Sequence, residues 1–214
     1  MIDADIVYVK RILKAGLIKS PCLEIGAGIA GYNVQGIIEG AGIRYCGSDR
    51  GPSPAVTFIA DFEDSGAVDA VFGQQRFGTV IVMNVLEHVF NPLVVLDNVM
   101  RLLIPGGTCV IVVPSVWPIH RYPEDYWRFN PDFFRTYAFR SNVTLMEEYF
   151  QFMTDGKCFS IQQSGALFPK PWQGSMRALW SRVIHRVFHT YGRGMMFACH
   201  ITVGAVFIKK EAVA

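Results

Sequence analysis

Along this chain, short runs that are apolar on both faces alternate with stretches whose apolar residues recur at helical spacing. Thr79-Val-Ile-Val-Met83 and Cys109-Val-Ile-Val-Val113 show no polar alternation, as befits strands of a parallel sheet covered by helices on each side. Residues 4–17 have helical spacing and lead into a break at Ser20-Pro21, which predicts a helix before the first strand. From there the pattern predicts strands at 22–25, 43–48, 56–60, 78–83 and 108–113, with helices at 31–40, 64–72 and 91–104. After Pro114 the rhythm gives way to an aromatic-rich segment, Trp117 to Phe139, too long for an ordinary connection and too aromatic for disorder. A helical region, a strand near 158–163, a helix at 175–191 and a final strand at 196–208 complete the reading. No repeat or low-complexity tract interrupts it, so the expectation is one doubly wound, Rossmann-like α/β domain over residues 1–214. Residues 1–115 then form one half of it, and 116–214 the loop, helices and last strands of the other.

The 214 residues, 51% of them hydrophobic, suffice for a core buried on both faces of a sheet. A formal charge of +2 conceals an asymmetry: residues 1–155 carry 12 basic and 17 acidic side chains, and the remainder carries 8 and 1. The basic end suits an anionic substrate, a phosphate-bearing carrier or a membrane surface, with a solvated basic face as the plainer reading. Nucleic acid is not expected as a partner of an acidic body without basic, aromatic-interleaved motifs. The five scattered cysteines read as buried free thiols in a reducing cytoplasm, and none has metal-ligand spacing with a histidine, so no metal is expected. The N-terminus lacks a signal-peptide core, and the longest apolar run, Met195 to Ile208, is shorter than a membrane span. In the 175–191 stretch, Met176, Leu179, Trp180, Val183, Ile184, Val187 and Tyr191 form one apolar stripe, with arginines elsewhere around the helix. Packing on its own sheet is the favoured reading, and peripheral contact with an anionic membrane the alternative.

The chemistry starts where the first strand meets its helix, at Leu23-Glu-Ile-Gly26-Ala-Gly28-Ile-Ala-Gly31. Glycines there let the backbone approach a ligand and leave N–H groups at a helix start. Gly26, Gly28 and Gly31 also satisfy the Gly-x-Gly-x-x-Gly pattern of dinucleotide-binding folds. Some twenty residues on, Asp49 ends the second strand, where a carboxylate accepts from ribose hydroxyls; a turn before Gly51-Pro52 is the other reading. Asp61 follows the third strand, placed for an adenine amine with Phe62 beside the ring, or else for capping the next helix.

Taken together, Leu-Glu-Ile-Gly-Ala-Gly at 23–28, Gly-Ser-Asp at 47–49, Ala-Asp-Phe-Glu-Asp at 60–64, Asn-Val-Leu-Glu-His-Val at 84–89 and Leu-Leu-Ile-Pro-Gly-Gly at 102–107 resemble class I S-adenosylmethionine (SAM)-dependent methyltransferases. The likeness is to the small bacterial group with a type 11 methyltransferase domain, and it covers roughly residues 20–115. It implies a seven-stranded, mostly parallel sheet with an antiparallel last strand, and SAM as cofactor. By the same resemblance Glu24, Gly26 and Gly28 hold the methionine end, Asp49 the ribose, Asp61 and Phe62 the adenine, and Asn84 and Val85 line the cofactor. Ala30 departs from the family's frequent third glycine. A nicotinamide-dependent oxidoreductase fits the glycines equally. However, Glu24 opposes a pyrophosphate and suits a methionine amine, and no Tyr-x-x-x-Lys pair is present. A non-catalytic SAM-fold binding protein is the other alternative.

Beyond the fifth strand, where such folds place their substrates, runs Pro114-Ser-Val-Trp-Pro-Ile-His120-Arg-Tyr122-Pro-Glu-Asp125-Tyr126-Trp-Arg128-Phe129. It resembles a stretch found in a subset of these enzymes often linked to sugar or cell-surface glycan pathways. His120 is the candidate general base, because imidazole exchanges protons near neutral pH. Asp125 is its partner or substitute, while Tyr122, Tyr126 and Arg128 contact the acceptor. Asp125 and Arg128 alternatively lock the loop as an ion pair, and His88 is a second candidate base. The expected acceptor is an oxygen or nitrogen of a polar small molecule, with a sugar or anionic glycan intermediate foremost.

Overall fold

In a computed structural model, the structure describes residues 3–29, 31–154, 157–161 and 200–211. The alternation read from the sequence appears as β1 (Cys22–Ile25), α2 (Gln35–Gly40), β2 (Tyr45–Asp49), β3 (Phe58–Ile59), α3 (Ser65–Phe72), β4 (Phe77–Met83), α4 (Pro92–Leu102) and β5 (Leu103–Val116), preceded by α1 (Asp3–Lys14). These strands form a parallel sheet in the order β3-β2-β1-β4-β5. Beyond them come α5 (Pro131–Arg140), β6 (Val143–Leu145), β7 (Gln151–Thr154), β8 (Lys157–Ser160) and β9 (Ile201–Lys209).

β9 runs antiparallel to β5. On its other edge β6 pairs with Phe207–Lys209 and β7 with Thr202–Gly204, so β6 and β7 are two halves of one strand position broken by the turn at Glu147–Tyr149. Counting that position once, the expected seven positions with one reversed strand are present, and β8 adds a hairpin edge on β7.

Alternate residues of each central strand feed opposite cores. Val80, Val82, Cys109, Ile111, Val113, Val203, Ala205 and Phe207 pack with Val68 and Phe72 of α3, Val95 and Val99 of α4 and Phe134 of α5. Ile81, Met83, Val110, Val112 and Val206 pack with Tyr8, Val9 and Ile12 of α1 and Ile38 of α2. This period-two division is why the strands read as apolar throughout. Across the second core, Thr202 Oγ1 donates to Asp5 Oδ1 at 2.7 Å, fixing α1 to the reversed strand.

Three boundaries depart from expectation. The helix expected from residue 31 begins at Gln35, because the chain between Gly31 and Val34 is taken up by the glycine turn. β5 begins five residues early and runs through Pro105-Gly106-Gly107, whose positive-φ Gly106 accompanies a register shift against β4 rather than a strand start. The aromatic segment is not one loop to Phe139: Pro131 opens α5 in the first-turn position proline favours, and Phe134 and Tyr137 bury one face of it. The expected 175–191 helix lies outside the described residues.

Candidate active site: a glycine-walled cleft and a histidine-lined loop

The carboxyl ends of β1, β2 and β4 open onto a cavity of about 310 Å³, at the point where the strand order reverses. Its walls include Gly26, Gly28, Asp49, Asp61, Phe62, Asn84, Val85, His88 and Tyr122. Glycine is needed at two of these positions. Gly26 has φ +81°, and a Cβ there would lie 2.4 Å from Val85 Cγ2; a Cβ on Gly28 would lie 2.6 Å from Asp49 Oδ2.

Asp49 holds the glycine turn directly. Its Oδ2 accepts from Gly28 N–H at 2.8 Å and its Oδ1 from Arg50 N–H at 2.7 Å, leaving lone pairs on both oxygens for hydroxyls in the cavity. Asp61 is relieved of helix capping by Asp64, which accepts from Gly66 and Ala67 N–H, while Asp61 Oδ1 accepts from Glu63 N–H at 2.9 Å. Phe62 is mostly buried, its ring centroid 5.7 Å from that of Phe72. At the end of β4, Asn84 takes φ +51° and its N–H donates to Val112 O, the kind of left-handed turn asparagine tolerates at a ligand site.

Glu24 is the exception among the expected cofactor residues, since it does not line the cavity. Buried behind the glycine turn, its Oε2 accepts from Val34 N–H at 3.0 Å and from the Tyr45 hydroxyl at 2.6 Å. The carboxylate thus ties β1 to the entry of α2 and to β2 instead of reaching a ligand. Burial raises its pKa to about 7, so its charge is weaker near neutrality than the argument against a pyrophosphate assumed.

The segment from Trp117 to Asn130 is sewn to the turn after β4. Tyr126 N–H donates to Glu87 O at 2.7 Å, Trp127 Nε1–H to Val89 O at 2.9 Å, and His88 Nδ1 lies 2.5 Å from Glu124 O. Within the loop Asp125, its side chain 1% exposed, accepts from His120 N–H at 2.7 Å and pairs with Arg128. All five guanidinium N–H groups are engaged: Nε with Trp117 O, Nη1 with Asp125 Oδ1 and Trp127 O, and Nη2 with Pro118 O and Asp125 Oδ2. The Arg128 hydrogen bonds hold Asp125 down at about pKa 2. Tyr122 and Tyr126 are exposed at the mouth, Tyr126 edge-on to Phe90.

The loop also brings together residues far apart in sequence. The His88 and His120 rings meet edge to face at 5.0 Å, and Glu87 lies beside them, fully buried. The 2.5 Å contact with a carbonyl requires a proton on His88 Nδ1, which leaves a lone pair on Nε2. Burial lowers the His88 pKa, favouring the neutral ring. The sequence reading placed Glu87 within a motif without giving it a role; its burial, the informative signal, emerges only in the folded chain.

A sequence profile of the methyltransferase-domain family matches residues 8–149, two thirds of the chain and every wall of the cavity. The chain belongs to this family. It is a SAM-dependent methyltransferase of class I, and SAM is its methyl donor. Known folds agree at low identity: a SAM-dependent methyltransferase from Archaeoglobus fulgidus superposes with TM-score 0.55 at 13% identity, covering 97% of this chain and 95% of the other. A candidate methyltransferase from Bacillus halodurans gives 0.59 at 13%, with 95% and 99% covered. Haemonchus contortus phosphoethanolamine N-methyltransferase 2, in complex with phosphomonomethylethanolamine and S-adenosylhomocysteine, gives 0.55 at 14%, covering 96% of this chain and 52% of that one. No match to a curated protein was found. Among the described residues, no helix is long and apolar enough to cross a membrane. Cys22, Cys46 and Cys109 are free and buried.

The cavity fits SAM on its own chemistry. The Val85 and Asp49 side chains close against Gly26 and Gly28 where a Cβ would stand, the Asp49 and Asp61 carboxylates suit a nucleoside with a cationic tail, and Ile29, Val85, Val89 and Phe62 offer apolar surface for a base.

Proposed function

We propose that this methyltransferase acts on an oxygen or nitrogen of a polar small molecule, a sugar or anionic glycan intermediate foremost, admitted between the cofactor cavity and the Trp117–Asn130 loop. The observation that carries this reading is the pair of imidazoles on the acceptor side: His88 on the cavity wall with its Nε2 lone pair free, and His120 beside it. Bound SAM supplies a methyl group activated on a sulfonium. Transfer then asks of the protein an in-line approach and a place for the acceptor's proton. Asp49 and Asp61 fix the nucleoside, Asn84 and Val85 set the cavity floor, and Tyr122 and Tyr126 flank the acceptor's entrance. The histidine pair takes up the proton.

Asp125 and Arg128 act one step back, as positioning residues. With every guanidinium N–H engaged, Arg128 holds the loop in place, and Asp125 fixes the backbone of His120.

The test is a release assay for S-adenosylhomocysteine across a panel of sugars, sugar phosphates and amines. His88→Ala and His120→Ala should each lower turnover about 10²- to 10⁴-fold on the accepted substrate with S-adenosylhomocysteine affinity nearly unchanged. Full turnover in both variants, or activity only on apolar acceptors, would overturn the proposal.

A further inference from the structure

Glu87 poses a problem that the methyl-transfer reading does not solve. It has no exposed surface, and among the described residues neither carboxylate oxygen has a hydrogen-bond partner. A buried acid in that condition costs several kcal/mol unless a proton or a cation compensates it. Two imidazoles adjoin it: His88 Nε2 stands 3.7 Å from Glu87 Oε1, and a ring nitrogen of His120 lies within 4.8 Å of donor atoms of both residues. One donor atom from each of the three residues falls within a common 4.8 Å.

We infer that Glu87, His88 and His120 form a binding site for a divalent transition-metal cation at the acceptor end of the cofactor cavity. Two imidazole nitrogens and one carboxylate make the three-ligand set of metal centres that keep a position open for water or substrate. Zn²⁺, Mn²⁺, Co²⁺ and Fe²⁺ suit that set, while Mg²⁺ prefers oxygen ligands alone. Donors about 2.0–2.2 Å from a tetrahedral ion stand about 3.3–3.6 Å apart. The His88–Glu87 pair is already near that separation, so the remaining donor needs only a modest rotamer adjustment. The outer contacts are those of a ligating histidine: His88 gives its other nitrogen's proton to Glu124 O, which aims Nε2 at the site. Asp125 Oδ2 lies 3.3 Å from His120 Nδ1 and accepts from its backbone N–H, fixing that residue from the far side.

This deepens the proposed function and rests on it for its chemistry. His88 lines the cavity, so the cation's open position faces the acceptor. With both imidazoles holding the cation, it would take over from them the activation of an acceptor hydroxyl, lowering the pKa of that hydroxyl so that its proton passes to solvent.

Binding is tested apart from activity. The chelator-treated full chain is titrated with Co²⁺, followed by its visible absorption, and with Zn²⁺ and Mn²⁺ by calorimetry, each alongside S-adenosylhomocysteine. One ion per chain should bind with a dissociation constant in the micromolar range or below, and the ion should raise the melting temperature. Glu87→Gln and His120→Ala should weaken ion binding at least tenfold while S-adenosylhomocysteine affinity stays within twofold, which separates this site from any binding at cysteines. Glu87→Gln should match or exceed the ion-free wild type in melting temperature, since it removes an uncompensated acid. Absence of Co²⁺, Zn²⁺ and Mn²⁺ binding with intact S-adenosylhomocysteine binding would overturn the metal site and leave Glu87 a protonated buried acid. Equal ion affinity in both variants would overturn it as well. Loss of S-adenosylhomocysteine binding in the wild type would instead strike at the cofactor reading.

Discussion

Replacing Asp49 separates its service to the fold from its service to the cofactor. The carboxylate offers about four acceptor positions, of which Gly28 N–H and Arg50 N–H occupy two. The other two remain for the cavity that Asp49 lines, where the proposed ribose would present two hydroxyls. Hydrogen bonds to a charged acceptor contribute about 1.5–3 kcal/mol each, and water partly fills the space left by truncation. Asp49→Ala should therefore weaken S-adenosylhomocysteine binding by about 1.5–3 kcal/mol, or roughly ten- to a hundredfold and slightly beyond. It also unpairs the N–H groups of Gly28 in the glycine turn and Arg50 after β2, which at about 1 kcal/mol lowers the melting temperature by about 2–4 °C. Asp49→Asn retains one acceptor oxygen and should lie between the two. Calorimetry with S-adenosylhomocysteine beside thermal melts reads both effects. An alanine variant binding within twofold of the wild type would refute the ribose role, making Asp49 a turn residue alone.

Three further outcomes follow from the same geometry. Gly28→Ala drives a Cβ to 2.6 Å from Asp49 Oδ2 and should break the turn's contact with that carboxylate, weakening S-adenosylhomocysteine at least tenfold; unchanged affinity by calorimetry would contradict the close approach. Arg128→Ala leaves Asp125 buried without its guanidinium and frees three carbonyls, so it should cost about 2–4 kcal/mol of stability in urea melts, with Arg128→Lys restoring little. A folded variant of wild-type stability with only a raised acceptor KM would mean that Arg128 grips the acceptor. Glu24, with a folded pKa near 7 against about 4.3 unfolded, holds its proton longer in the folded state, so its burial penalises stability progressively as pH rises from 4 to 7. Glu24→Gln should flatten that decline, by on the order of 2–3 kcal/mol at pH 8, and parallel pH curves for both proteins would contradict the shift.

The parallel half of the sheet was legible because its strands are buried on both faces, so Thr79–Met83 and Cys109–Val113 could be little else. β6 and β7 were not, since three- and four-residue strands with polar members depend on their pairing with β9 and, for β7, with β8. The cavity wall was legible wherever placement follows from backbone position: Gly26, Gly28, Asp49, Asp61 and Asn84 all stand at strand ends on the cavity. Glu24 failed for a specific reason. Its position beside the glycines was right, but the orientation of its carboxylate is set by the Tyr45 hydroxyl and Val34 N–H, which reach it from β2 and from the entry of α2.

The acceptor side shows the same limit more sharply. Asp125 and Arg128, three residues apart, read equally well as ligands or as a lock, and what separates the two is the carbonyls of Trp117 and Pro118, which return to the guanidinium only once the loop has closed. Spacing alone likewise gave no metal site, because its third donor stands 32 residues from the second and meets it only where Tyr126 and Trp127 dock on the turn after β4. In the folded loop the conspicuous charges are the engaged ones. Among the described residues Glu87, an acid hidden in a motif, has no hydrogen-bond partner on either oxygen, so the chemistry of the acceptor side is best sought at the buried carboxylate and the two imidazoles next to it rather than at the ion pair that the sequence displays.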